Sequence, residues 1–106
     1  MRHELLKNEI VVSPALEKVL QTKMQKVEKR LKRYHPEAAH LEIRLKRLEK
    51  LDSFECTLNL NAFRESLHAK KSAPELRAAI DRTFEALLRE LGHYRLKINK
   101  SLRTGS

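Results

Sequence analysis

Residues 40–46 read His-Leu-Glu-Ile-Arg-Leu-Lys, and residues 54–61 read Phe-Glu-Cys-Thr-Leu-Asn-Leu-Asn. Apolar and polar side chains alternate strictly in both. A strand turns successive side chains to opposite faces, so this spacing predicts two strands, each with one apolar face, in a sheet covered on one side only. Leu41, Ile43 and Leu45 face the core in the first, and Phe54, Cys56, Leu58 and Leu60 in the second. A third strand follows at residues 66–70, where Leu67 and Ala69 alternate with Ser66, His68 and Lys70. Turns are expected at Asp52-Ser53 and over residues 61–64.

Outward from this block the period changes. Leu16, Leu20, Met24, Val27, Leu31 and Tyr34 recur at steps of four and three, which predicts a helix over residues 14–33. Ser13 is its N-cap, Pro14 takes the first helical position, and His35-Pro36 ends it. Leu76, Ile80, Phe84, Leu87, Leu91, Tyr94 and Ile98 form the inner stripe of a second helix over residues 74–98. Residues 3–12 read as a first strand with Leu5, Ile10 and Val12 inward and a polar interruption at residues 7–9. The expected fold is α+β, in the order β-α-β-β-β-α, with two helices packed on one face of a four-stranded, largely antiparallel sheet. Residues 1–100 make one domain, and residues 101–106 a disordered basic tail.

Composition narrows the function. Lys and Arg number 23 against 14 Asp and Glu, a net charge of +9, which points to an acidic polymer or surface as partner. Leu, Ile, Val and Phe make up 29 of 106 residues, above the roughly 20% below which chains stay disordered. A coreless basic arm is thereby excluded. The lone Cys56 rules out an internal disulfide, and with five scattered His it offers no zinc-finger spacing. Two glycines, Gly92 and Gly105, are too few for a phosphate-binding loop. With no apolar run near the roughly 18 residues of a membrane span and no signal-like start, a cytoplasmic chain without a membrane partner is expected.

The placement of charge is more telling than its sum. At about 100° per residue, Lys23, Lys26, Arg30 and Arg33 share one flank of the first helix. Lys18, Lys29 and Lys32 fill its far side, and Glu17 and Glu28 the other flank. On the second helix Arg82, Arg89, His93, Lys97 and Lys100 share an outer face, with Glu90 flanking as a tether for Arg89 or Lys97. Helices packed side by side would merge these flanks into one basic surface suited to a phosphate backbone, which positions a nucleic acid without reading its bases. Aromatics are few, so recognition by shape of structured RNA fits better than base stacking. A solvated charged face is the bland alternative for either helix alone. His68 on a strand's outer face has no nucleophile or carboxylate placed by a motif to work with it, so an enzyme is disfavoured. Cys56 reads as a buried, inert thiol. Gly92 marks either a close RNA approach or a looser last stretch of helix.

Leu67-His68-Ala69, the run Glu75-Leu76-Arg77-Ala78-Ala79-Ile80-Asp81, the later Leu88-Arg89-Glu90-Leu91 with His93, Arg95 and Lys97, and the junction Val12-Ser13-Pro14-Ala15-Leu16 carry a family likeness. Over roughly residues 5–100 the chain resembles the ribosome hibernation factors: the hibernation-promoting factor and the ribosome-associated inhibitor, also called sigma-54 modulation proteins. The resemblance implies a fold like that of double-stranded-RNA-binding domains. It implies binding to the small ribosomal subunit near the decoding centre, where the protein blocks mRNA and tRNA and inhibits translation in stress or stationary phase. It implies rRNA contacts at Lys23, Lys26, Arg30, Arg33, Arg82, Arg89, His93 and Lys97. No cofactor, no catalysis and a monomer are expected, and the short basic tail matches the short form, which supports ribosome pairing together with another hibernation factor. A general structured-RNA-binding module or RNA chaperone, and a protein-interaction regulator, are the rival readings.

Overall fold

The structure, a computed structural model, describes residues 1–8, 10–31, 39–62 and 65–104, with side chains for all of these except residues 65 and 94–104. Strand β1 (Arg2–Asn8) leads into helix α1 (Pro14–Leu31), then β2 (His40–Leu48), β3 (Ser53–Ala62), β4 (Glu65–Ala73) and helix α2 (Leu76–Thr104). The strands lie in the order β1-β2-β3-β4. β2, β3 and β4 form an antiparallel meander, while β1 pairs with β2 in parallel. The sheet is therefore mixed. A parallel neighbour needs a crossover, and α1 supplies it.

The alternation predicted from sequence sets the register. Ile43 pairs with Leu58 and Leu58 with Ala69, so all three point to one face. Leu41, Ile43, Leu45, Cys56, Leu58 and Leu60 are at most 1% exposed. They meet Leu20, Val27 and Leu31 of α1 and Ile80, Phe84, Leu87 and Leu91 of α2 in one cluster. A hollow lined by Leu5, Leu20, Met24 and Ile43 shows α1 lying over the β1–β2 edge, and α2 covers β3 and β4. Thr83, a buried polar side chain, has its hydroxyl oxygen 2.6 Å from the Ala79 carbonyl and 3.2 Å from that of Cys56, binding α2 to β3.

Several boundaries differ from the sequence reading. β1 ends at Asn8, and Lys7 and Asn8 lie in unbroken ladder opposite Leu45 and Lys46, where an interruption was expected. Residues 10–12 instead climb from the sheet to the helix layer, with Val12 buried and Val11 92% exposed. The turn after β2 is a 3-10 turn, Glu49–Leu51, closed by Asp52 at φ 43° and ψ 48°. That left-handed conformation is one Asp tolerates. β4 runs to Ala73, which still pairs with Phe54, so α2 starts at Leu76 rather than residue 74. The Glu75 carbonyl accepts its first bond, from Ala79 N–H at 3.0 Å. The Ser13 cap is present: its Oγ accepts from Leu16 N–H at 3.2 Å. α2 continues through Thr104, so residues 101–104, expected as disordered tail, have helical backbone. No proline interrupts that stretch, and Lys, Leu and Arg are good helix formers. The expected end of α1 at residues 32–33, Tyr34, and the turn residues Phe63 and Arg64 lie outside the described residues.

Candidate nucleic-acid interface

Packing brings the two basic helices into contact along a seam, and the seam sorts the expected RNA-binding residues. Lys23 turns into it. Its side chain is only 20% exposed, and its Nζ lies 2.9 Å from Asp81 Oδ1 on α2. The other oxygen of Asp81 takes Arg77 Nε at 3.4 Å, one helical turn earlier. Burial pushes the Asp81 carboxyl upward most strongly, but Lys23 and then Arg77 together outweigh it and hold the group below its ordinary value. Asp81 is thus ionised and clamped between cations from both helices. Further along the seam Arg30 donates from Nη1 to the Leu88 carbonyl at 3.4 Å. Its guanidinium stays exposed, one residue from Arg89 in the chain of α2.

Lys26 is exposed beside Lys23 and lines a cleft of about 300 Å³ with Lys18, Val19, Thr22 and Arg77. Helical arithmetic puts Lys18 on the far side of α1. The breadth of the cleft draws it in, and Arg77 is absent from the basic set read off the sequence. The signal for Arg77 was its four-residue spacing to Asp81, which places the two side chains on one helical face.

On α2 the outer stripe is split. Arg82 is exposed and donates to the Ser72 carbonyl at 3.4 Å, which leans it toward the end of β4. Arg89 is exposed and pairs with Glu85 at 3.7 Å, one turn back, instead of with Glu90. His93 is exposed. Lys97 belongs to the helical backbone of α2, but its side chain, like that of Lys100, lies outside the described part, as does the whole of Arg33. The structure therefore draws Lys23, Lys26 and Arg30 toward α2, while Arg82, Arg89 and His93 face solvent.

A larger hollow, about 540 Å³, lies elsewhere, on the open face of the sheet. A polar network crosses it. Arg44 and Asn59 donate to Glu42 at 2.5 and 3.4 Å, and His68 Nδ1 lies 2.5 Å from Asn59 Oδ1. The Arg44 hydrogen bond is the main cause that keeps the Glu42 carboxyl below its usual value. Two of the trough's cations are neutralised at home, Arg44 by Glu42 and Lys70 by Glu55 at 3.7 Å. Lys7 and Lys46 keep no ion-pair partner there among the described residues, so the trough carries positive charge of its own on the sheet face away from the helices. His68 touches an amide here, not a nucleophile. Among the described residues no three His, Cys, Asp or Glu side chains gather as a metal site, and no helix is long and apolar enough to cross a membrane.

Residues 7–99 match the family described as sigma 54 modulation protein / S30EA ribosomal protein. The chain belongs to this family of ribosome-associated proteins. The Protein Y N-terminal domain of Thermus thermophilus superposes with a TM-score of 0.72 at 15% identity, over 89% of this chain and 99% of that one. A ribosomal subunit interface protein from Coxiella burnetii superposes with a TM-score of 0.65, also at 15% identity, over 91% and 99%. At that identity the likeness speaks for the fold alone, which is shared over most of the chain. No curated protein matches the sequence.

Proposed function

We propose that this protein is a non-catalytic ribosome hibernation factor of the cytoplasm. It binds the small ribosomal subunit near the decoding centre and inhibits translation by occupying the space of mRNA and tRNA. Lys26, Arg30, Arg82, Arg89 and His93, with Arg33 and Lys97, contact rRNA phosphates, and Lys23 supports them from the seam. The reading rests on the family match over residues 7–99 in a chain whose two helices carry exposed cations on both sides of one seam. Such cations neutralise phosphates and release counterions, so affinity adds up from many contacts and falls with salt.

Co-sedimentation with separated subunits across a salt series, with an RNA duplex as competitor, tests it. Saturation near one copy per small subunit, resistant to the duplex, is expected. The log–log salt slope should be about −0.7 to −0.9 per phosphate contact. Arg30→Glu and Arg89→Glu should each weaken binding about tenfold. Full loss to the duplex would leave a general RNA binder. Retention of a protein partner after nuclease treatment would favour an interaction regulator. Pairing of idle ribosomes with the help of another hibernation factor is part of the proposal, and sucrose-gradient profiles of stationary cells lacking the protein should then lose the paired peak.

A further inference from the structure

The seam contains more than the two stripes read from sequence. Around the 300 Å³ cleft stand Lys18, Lys23 and Lys26 from α1 and Arg77 from α2, with Asp81 as the acid that touches them. Asp81 cannot balance this group. It holds Lys23 from one oxygen and Arg77 from the other, which leaves Lys18 and Lys26 without an ion-pair partner among the described residues. Lys18 and Lys26 are exposed, and the Arg77 side chain is 62% exposed, so three cations border an open cleft. The Asp81 carboxylate fixes the fourth, Lys23, inside the seam and steadies the root of Arg77. A guanidinium fork held at one nitrogen keeps its remaining N–H groups for an outside oxygen, and it matches phosphate geometry better than a point charge does.

We infer that this cleft is a seat for one phosphodiester of an RNA backbone, with Arg77, Lys18 and Lys26 as its contacts and Asp81 and Lys23 as positioning residues. Charge complementarity selects the occupant: the cleft carries an excess of positive charge and presents no apolar floor for a base beyond Val19. The seat rests on the RNA-binding reading above and adds Arg77 and Lys18 to its contacts. It also defines the supporting role of Lys23, as an internal strut held by Asp81.

The test is the salt dependence of binding, measured on ribosomal subunits and on an isolated RNA duplex, for the intact chain and for five variants. Arg77→Gln and Lys18→Gln should each weaken binding about fivefold and make the log–log salt slope shallower by about 0.7 to 0.9, the signature of one lost phosphate contact. Arg77→Lys should keep the slope. Lys50→Gln removes an equal charge from the exposed turn after β2 and should leave the slope unchanged. Asp81→Asn supplies a test of sign. Counting charge alone, loss of an acid strengthens RNA binding; in the seat it weakens binding, because Lys23 and Arg77 lose their anchor. Circular dichroism confirms that each variant is folded. Normal subunit binding with an unchanged slope in Arg77→Gln, or tighter binding in Asp81→Asn, overturns the seat and leaves the proposed function standing. Failure on subunits with a shallower slope on the duplex overturns the ribosome reading and keeps the seat. Binding to neither overturns both. Tripolyphosphate added as a competitor separates the sources of phosphate. If Arg77→Gln abolishes its binding without moving the RNA slope, a free polyphosphate is the occupant and the RNA seat is wrong.

Discussion

Cys56 sits at the centre of β3 with no exposed surface, and burial pushes its thiol up to about 11, the Thr83 hydroxyl pulling slightly the other way. Thiolate is the reactive form, so at pH 8 this cysteine is both protonated and shielded. A disulfide reagent such as Ellman's should label it at least about a hundredfold more slowly in the native protein than in denaturant; comparable rates would mean that β3 opens readily. Gly92 presents a different case. Apart from its chain neighbours and its own helix backbone, a methyl group added there meets no described atom within 4 Å, so neither close packing against the described residues nor a positive φ demands glycine. Gly92→Ala should raise unfolding stability by about 0.5 to 1 kcal/mol, read as a higher urea midpoint. If the variant also loses RNA affinity while gaining stability, the glycine is there for the ligand.

At the scale of elements, α1 and α2 were legible because their apolar residues recur every three or four positions, and that period is set by helical geometry alone. The start of α1 was legible for a chemical reason, since Ser13 can accept a bond from an N–H that the helix leaves free. Ser13→Ala should cost about 1 kcal/mol, measured by urea unfolding. The start of α2 was misplaced by two residues because Ala73 is still held by its ladder partner Phe54, a contact made across the sheet. The same reason lengthens β4. Residues 10–12 look like strand because they are apolar, but in the structure they bridge two layers, with Val12 closing the core.

For the whole molecule, the decisive contact is the one that joins the helices. Asp81 is held below its ordinary value in the folded chain by Lys23 and Arg77, against the opposing pull of burial. A carboxyl lowered on folding stabilises the native state above its unfolded value, 3.8, and that stabilisation disappears as pH falls through the lowered folded value. Asp81→Asn should therefore be less stable than the parent at pH 7, and the gap in urea midpoint should narrow as pH falls below 3.8 toward the lowered folded value. A gap that persists at low pH would mean that Asp81 acts by packing rather than by charge. Similarly, Phe84, fully buried where α2 meets β3, anchors the helix layer, and Phe84→Ala should cost about 3 to 5 kcal/mol.

The sequence by itself determined the element order, the apolar faces and the existence of two basic helices. Each of these follows from periodicity along a single segment, where the backbone dictates which residues share a face. Tertiary structure alone decided that β1 runs parallel to β2, that Lys23 is spent on Asp81, and that Lys18 and Arg77 border the same cleft as Lys26. Those facts depend on how two helices, distant in the chain, come to rest against one another. Side-chain chemistry read along one helix shows which cations share its flank. Only packing shows which of them meet an acid from the neighbouring helix and which remain free for a phosphate.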